Sequence, residues 1–271
     1  MSENWRLILD PLLDGRENMA VDEAVLTSSD GSREFTPTLR LYGWSGPTLS
    51  IGYHQDAAGF SDCGLPVVRR VTGGRAVLHD SEITYSIVAP TAHPLFSGGI
   101  TTAYFEISRC ILSALRDAGI NASMSGRAAK TRPSDGAGQA CFSAPSRHEL
   151  LVNGQKIAGS AQRRFKSAFL QHGSILFSIA EELNGRIFGR GLQGAMTCIS
   201  AHSAVTAAEM RGLLVKGFSA GLEAKFQTVK LSGAEEYIKD GLMESRYSTP
   251  EWTSGAIDRT RRIRGLDAYG R

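Results

Sequence analysis

Cysteine is scarce in this 271-residue chain, and the four that occur, Cys63, Cys110, Cys141 and Cys198, are far apart and form no C-x-x-C pair. That spacing gives no zinc ribbon and no disulfide framework, and it predicts reduced thiols in a cytoplasmic protein. Long apolar runs are missing as well. No segment approaches the roughly 20 apolar residues of a membrane span. The first residues, Met1-Ser2-Glu3-Asn4-Trp5-Arg6, lack the apolar stretch of a signal peptide. Neither sign of charge dominates. The 30 basic and 27 acidic residues leave +3, too little to argue for nucleic acid. The basic clusters Arg163-Arg164-Phe165-Lys166 and Arg259 through Arg264 read as solvated faces or helix ends. A Walker A loop, a G-x-G-x-x-G and an H-E-x-x-H are all absent, so a classical nucleotide site, a zinc hydrolase or any other metal site is unsupported.

Glycine, by contrast, is plentiful at 30 residues, which implies many tight turns and substantial β structure. Trp5 to Leu9 reads as a strand and residues 16–28 as a helix. Thr38 to Trp44 and Pro47 to Ile51 read as a hairpin turning at Ser45-Gly46. Val67 to Val71, Arg75 to His79 and Ile83 to Val88 continue the strands. Phe105, Ile107, Ile111, Leu112 and Leu115 repeat near the 3.6 period and predict a helix from about Thr101 to Ala118, with Gly119 as its stop. Residues 125–140 are polar and small, and predict a long loop. Asn153-Gly154 predicts a hairpin between Glu149–Val152 and Gln155–Ala161. Ala168 to Phe177 is another strand. Beyond it the pattern turns helical, over 206–224 and 233–243. The expectation is an α+β protein of mixed or antiparallel sheets flanked by helices. The α+β core is placed at 1–195 and a helical C-terminal extension at 196–271.

The stretch that points to a site is Arg69-Arg70-Val71-Thr72-Gly73-Gly74-Arg75-Ala76-Val77-Leu78-His79-Asp80. It reads as strand, glycine turn, strand. Its middle carries no bulk, so its backbone can approach a ligand and offer N–H groups to an oxygen. His79 is a candidate base or donor whose tautomer Asp80 could fix, and His172 is a weaker candidate for the same cavity.

Downstream, Cys141 follows the polar loop, outside any apolar period. A thiolate is a strong nucleophile near neutral pH, but only a few per cent of an ordinary thiol is ionised there, so it needs a nearby cation or base. Lys156, His79 and His148 are the candidates. Lys156 opens the second strand of the predicted hairpin, ahead of Ala158, Gly159, Ser160 and Ala161, whose small side chains leave room for a ligand. By spacing alone an exposed strand lysine is the commoner outcome, and a free cysteine is most often structural. Cys63, Cys110 and Cys198 are expected to be structural.

These residues resemble a known family. Arg69 to Asp80 followed by Thr84-Tyr85-Ser86 is similar to the signature of the biotin/lipoate protein ligase superfamily. Asn18 to Glu23, Thr38 to Trp44, Ser50 to Gln55, Gly154 to Gln162 and Leu170 to Ser174 resemble its other segments, in order, over residues 5 to 180. Ala140-Cys141-Phe142 ahead of Lys156-Ile157-Ala158-Gly159-Ser160-Ala161 resembles the cysteine-dependent octanoyltransferases of that superfamily. Arg75 agrees, standing where the ATP-dependent ligases usually carry a third glycine.

The resemblance implies that Cys141 takes an octanoyl group from acyl carrier protein as a thioester. It then passes the group to a lysine of a lipoyl-accepting protein, such as the glycine-cleavage H protein. Lys156 would be the second catalytic residue. Arg69, Arg70, Thr72, Gly73, Gly74, Arg75, Ala76, His79, Gly159, Ser160 and Ala161 would bind the substrate. No cofactor is implied. An ATP-dependent lipoate ligase, which needs ATP and Mg, stands as the alternative. So do an amidotransferase between lipoyl domains and a non-catalytic lipoyl-domain binder. No nucleic acid or membrane partner is expected, and a monomer is favoured.

Overall fold

The computed structural model describes residues 2–31, 35–126, 148–192 and 194–255. Cys141, the predicted loop from residue 127 onward and the basic run at 259–264 lie outside the described residues.

A six-stranded mixed sheet forms the centre, ordered β10-β11-β6-β2-β1-β12. Its strands are β1 (Glu3–Leu13), β2 (Thr38–Trp44), β6 (Glu82–Pro90), β10 (Ala158–Arg164), β11 (Ala168–Leu176) and β12 (Ala224–Thr228). β1 runs parallel to both β2 and β12, whereas β2, β6, β11 and β10 pair antiparallel. Every residue of β2 is buried, so both of its faces are covered. Leu39 and Leu41 face helices α2 (Ile100–Asp117) and α4 (Ala207–Gly221), in a core that also holds Trp5, Ile107, Ile111, Leu214 and Phe218. Tyr42 and Trp44 face the other way, against Met19, Ala20 and Ala24 of helix α1 (Gly15–Ser29), with α5 (Gly233–Leu242) outside it. The period-2 alternation of a strand thus feeds two cores.

Two small sheets flank the large one. The first is ordered β4-β3-β5, from Thr48–Ile51 (β3), Val67–Arg69 (β4) and Val77–His79 (β5). The second joins Ala122–Met124 (β7), Leu150–Val152 (β8) and Gln155–Lys156 (β9). Two hairpins that the sequence predicts do not form. β2 and β3 do not pair, because both edges of β2 are already taken by β1 and β6, and the chain crosses to the other sheet. β4 and β5 do not pair either. β3 lies between them, parallel to β4 and antiparallel to β5, so the Gly73-Gly74 stretch is a crossover past the end of β3.

The hairpin at Asn153-Gly154 does form, with φ of 50° and 81° at its two turn residues. Such positive angles match the twist of a two-residue hairpin. Its second strand then changes sheets, since Lys156 belongs to β9 and Ala158 to β10.

The C-terminal part is helical as expected, through α3 (Glu181–Phe188), α4, α5 and α6 (Pro250–Ser254). Capping boxes at Thr206/Glu209 and Ser232/Glu235 start α4 and α5. It also supplies a strand that the sequence pattern did not reveal. β12 completes the large sheet, and mostly exposed residues such as Lys225, Gln227 and Thr228 leave it almost no apolar alternation. Among the described residues no helix is long and apolar enough to cross a membrane.

Candidate active site

A cleft opens between the α1-side face of the large sheet and the small β4-β3-β5 sheet. In the large sheet's register Gly159 lies opposite Ser174, which lies opposite Thr84, and Ala161 lies opposite His172. Met19, Tyr42, Trp44 and Val77 supply the apolar part of the lining. Arg70, His79, Gly159, Ser160 and Ala161 of the expected binding set also line it.

Arg70 builds the glycine crossover. Its Nη1 donates to Ser50 O at 2.9 Å and Ser50 Oγ at 2.8 Å, and its Nη2 to Gly73 O at 3.0 Å and Arg75 O at 2.8 Å. The planar fork holds two carbonyls of the loop against Ser50 of β3, which a lysine's single ammonium does not reproduce. Gly74 has φ +92°, and its carbonyl packs where a side chain on Gly52 would stand. Glycine is required at both positions, for conformation at Gly74 and for close approach at Gly52.

Two buried histidine relays fix the cleft floor. Asp22 of α1 accepts from Tyr42 OH at 2.9 Å and Ser86 Oγ at 2.8 Å, and pairs with Arg40 at 2.8 Å. Its Oδ2 lies 2.9 Å from His172 Nδ1, and His172 Nε2 lies 2.7 Å from Thr72 Oγ1. Burial alone would push the Asp22 carboxyl up. The His172 hydrogen bond and the Arg40 charge outweigh it and hold the carboxyl below its ordinary value. Burial pushes His172 down, so the imidazole is neutral, with Nδ1–H donating to Asp22 and Nε2 accepting from Thr72. Thr72 is thereby tied to α1 and β11 together.

The second relay joins Ser50, His79 and Glu82. Ser50 Oγ lies 2.6 Å from His79 Nε2, and His79 Nδ1 lies 2.7 Å from Glu82 Oε1. Thr84 and Ser174 hydroxyls also donate to that oxygen, each at 2.6 Å. Burial opposes ionisation of Glu82, yet the His79 charge and these hydrogen bonds keep its carboxyl below the usual value. Trp44 stacks on His79 with ring centroids 3.7 Å apart and planes 11° from parallel. Glu82, not Asp80, orients His79. Asp80 is exposed, because it sits in the bend where β5 turns into β6.

Lys156 is buried, with 2% of its side chain exposed, and its Nζ donates to Glu149 Oε1 at 2.6 Å. Its backbone is held on both sides. Leu151 is its cross-strand partner, Lys156 N donates to Ala195 O at 2.9 Å, and Thr197 N donates to Lys156 O at 2.9 Å. The exposed strand lysine that spacing alone favours is thus not what forms.

Arg69 points elsewhere. Its guanidinium donates to the carbonyls of Gly52, Tyr53, Gln55, Trp252 and Thr253, and Trp252 Nε1 donates back to Arg69 O. It anchors the C-terminal helix α6 to β4. Arg75 is half-buried on the crossover and Ala76 is buried under β5 in a separate core. Cys110 is buried in the main core, and burial pushes its thiol up to about 12. Cys198 is buried and Cys63 half-buried.

Sequence reasoning missed Glu149, Glu82, Ser50 and Trp44. Glu82 stands three residues after His79 with a nearer carboxylate between them, and Glu149 needs the hairpin register before its partner is visible. Among the described residues no group of three or more His, Cys, Asp or Glu side chains is placed to hold a metal ion.

The architecture is that of lipoate-protein ligases. A T. acidophilum protein assigned as a lipoate protein ligase, solved with lipoic acid bound, superposes with a TM-score of 0.78. It is 25% identical, over 93% of this chain and 100% of its own. A lipoate-protein ligase A bound with ATP also gives 0.78 at 24% identity, over 95% of this chain and 100% of its own. The chain belongs to the family of the lipoyl protein ligase A/B catalytic domain, whose model matches residues 14–219. Its relatives include octanoyltransferase LipM of Brevibacillus brevis, 38% identical over 92% of this chain and 98% of the relative. LipM of Carboxydothermus hydrogenoformans matches at the same identity and coverage.

Proposed function

We propose that this protein is an octanoyltransferase of protein lipoylation. It moves an octanoyl group from acyl carrier protein, through a thioester on Cys141, to a lysine of a lipoyl-accepting protein such as the glycine-cleavage H protein. The likeness to LipM octanoyltransferases over nearly the full length of both proteins supports the reaction. The structural observation that carries the reading is Lys156. It is a buried cation on a strand pinned from both sides, three residues before Gly159, Ser160 and Ala161, which line the cleft. A charge held in place before the reaction suits an oxyanion that develops only in the transition state.

In the first step the Cys141 sulfur attacks the donor's thioester carbonyl. The carbonyl oxygen gains charge opposite the Lys156 ammonium, the C–S bond to the donor breaks, and the released thiolate takes up a proton. In the second step the acceptor's neutral amine attacks the new thioester, loses a proton, and expels the Cys141 thiolate. The C–S bond of a thioester is already activated, so the reaction needs no nucleotide. Trp44, Met19, Tyr42 and Val77 would hold the acyl chain, and the Gly73-Gly74 crossover, held by Arg70, would cover it. Thr72 and His79 would shape that cover through their relays. Arg69 would act from behind it as an anchor.

Octanoyl-acyl carrier protein and a lipoyl domain, mixed with the enzyme and no ATP, should give an octanoylated lipoyl domain. Modification that appears only with lipoate, ATP and Mg would place the chain with the ligases instead.

A further inference from the structure

Glu149 and Lys156 come from one hairpin. The Asn153-Gly154 turn sets a register in which Leu151 lies opposite Lys156. Glu149 precedes Leu151 by two residues, and side chains two apart on an extended chain share a face. Glu149 is therefore the diagonal cross-strand neighbour of Lys156, close enough for two long side chains to meet. They meet at 2.6 Å, with Lys156 2% and Glu149 15% exposed. The neighbours Leu150 and Val152 face the other way, into the main core, and fix which face Glu149 takes. The carboxylate borders a second cleft, between α2 and the hairpin, where Tyr104 OH donates to Ser160 O at 3.1 Å. Ser160 lines both this cleft and the one assigned to the acyl group. The ion pair thus stands beside the strand that separates them.

We propose that Glu149 is a positioning residue for the transfer reaction, acting through Lys156. A lysine stem has four rotatable bonds, and the Glu149 carboxylate, 2.6 Å from the ammonium, restricts them. It also supplies the counter-charge that burying an ammonium requires. Glu149 acts on the ammonium and not on the acyl group. This inference rests on the catalytic reading of Lys156.

The test is a double-mutant cycle on the full chain. Glu149→Gln, Lys156→Ala and the double variant are compared for the rate of acyl-enzyme formation from octanoyl-acyl carrier protein, for donor KM, and for thermal midpoint. Losing the aim of one charged group costs about 100-fold in rate. Glu149→Gln is expected to slow acylation on that scale while donor KM stays within about 2-fold. In the Lys156→Ala background the same change should have no further effect, because its route of action is already gone. Glu149→Asp, which keeps the charge, should recover most of the lost rate, and it carries the test if the glutamine variant folds poorly. A fully active Glu149→Gln beside an impaired Lys156→Ala would overturn the positioning role alone. Two losses that multiply in the double variant would overturn it too, since Glu149 would then act independently of Lys156. An unimpaired Lys156→Ala would overturn the catalytic reading of Lys156 and this inference with it.

Discussion

Asp22 of α1 and His172 of β11 stand 150 positions apart in the chain and share a 2.9 Å hydrogen bond beneath the cleft. The same carboxylate neutralises Arg40, whose side chain is 1% exposed. Removing one partner of a buried pair leaves the other charge without its counterion, which costs about 3–5 kcal/mol. Asp10 also pairs with Arg40, so Asp22→Ala should fall at the lower end, about 3 kcal/mol, in urea unfolding. A loss under about 1 kcal/mol would mean that Asp10 alone suffices.

The pH dependence of stability has a definite sign. The folded Asp22 carboxyl titrates below its unfolded value, so its stabilising contribution is full above the unfolded value of about 3.9. It is lost as pH falls from there through the lower folded value. Glu82 acts in the same direction, its contribution being lost as pH falls from the unfolded glutamate value of about 4.3. Urea midpoints should therefore drop steeply below about pH 4 in the native protein and less steeply in Asp22→Asn. Equal slopes would contradict the assignment.

The crossover requires a bare Gly52. A methyl group there would stand on the Gly74 carbonyl oxygen, so Gly52→Ala must displace the loop that Arg70 holds. Overpacking of this kind costs about 1–3 kcal/mol. That loss should come together with a raised KM for the acyl donor. Gly46→Ala, with nothing within 4 Å of the added carbon, should leave both unchanged.

Arg69 makes a different prediction from Arg70. Its five carbonyl contacts join β4 and the chain after β3 to Trp252 and Thr253. Arg69→Ala should release α6 and raise amide exchange across residues 250–255, with a loss of about 2–3 kcal/mol. Unchanged exchange there would show that Trp252 docks without it.

Much of this was legible in the sequence where local pattern and tertiary demand agree. The 3.6 period of α2 and the Asn153-Gly154 turn each appear where they were expected. Strand partners were not legible. β2 and β3 look like a hairpin because only Ser45-Gly46-Pro47 separates them, but pairing is decided by which edges remain open. The residues Glu82 and Glu149 escaped for the same reason. Their partners His79 and Lys156 are set by a bend and by a register, neither of which residue type reports. The strand of Lys156 is pinned by the 195–197 segment pairing along its edge, a contact from a distant part of the chain that no local pattern reports.

The central claim is the covalent intermediate. Intact-protein mass spectrometry after mixing the enzyme with octanoyl-acyl carrier protein, without ATP, tests it directly. The account predicts one octanoyl adduct, released by hydroxylamine, mapped to Cys141 and absent from Cys141→Ala. Transfer that persists in Cys141→Ala, or an adduct on another residue, would contradict it.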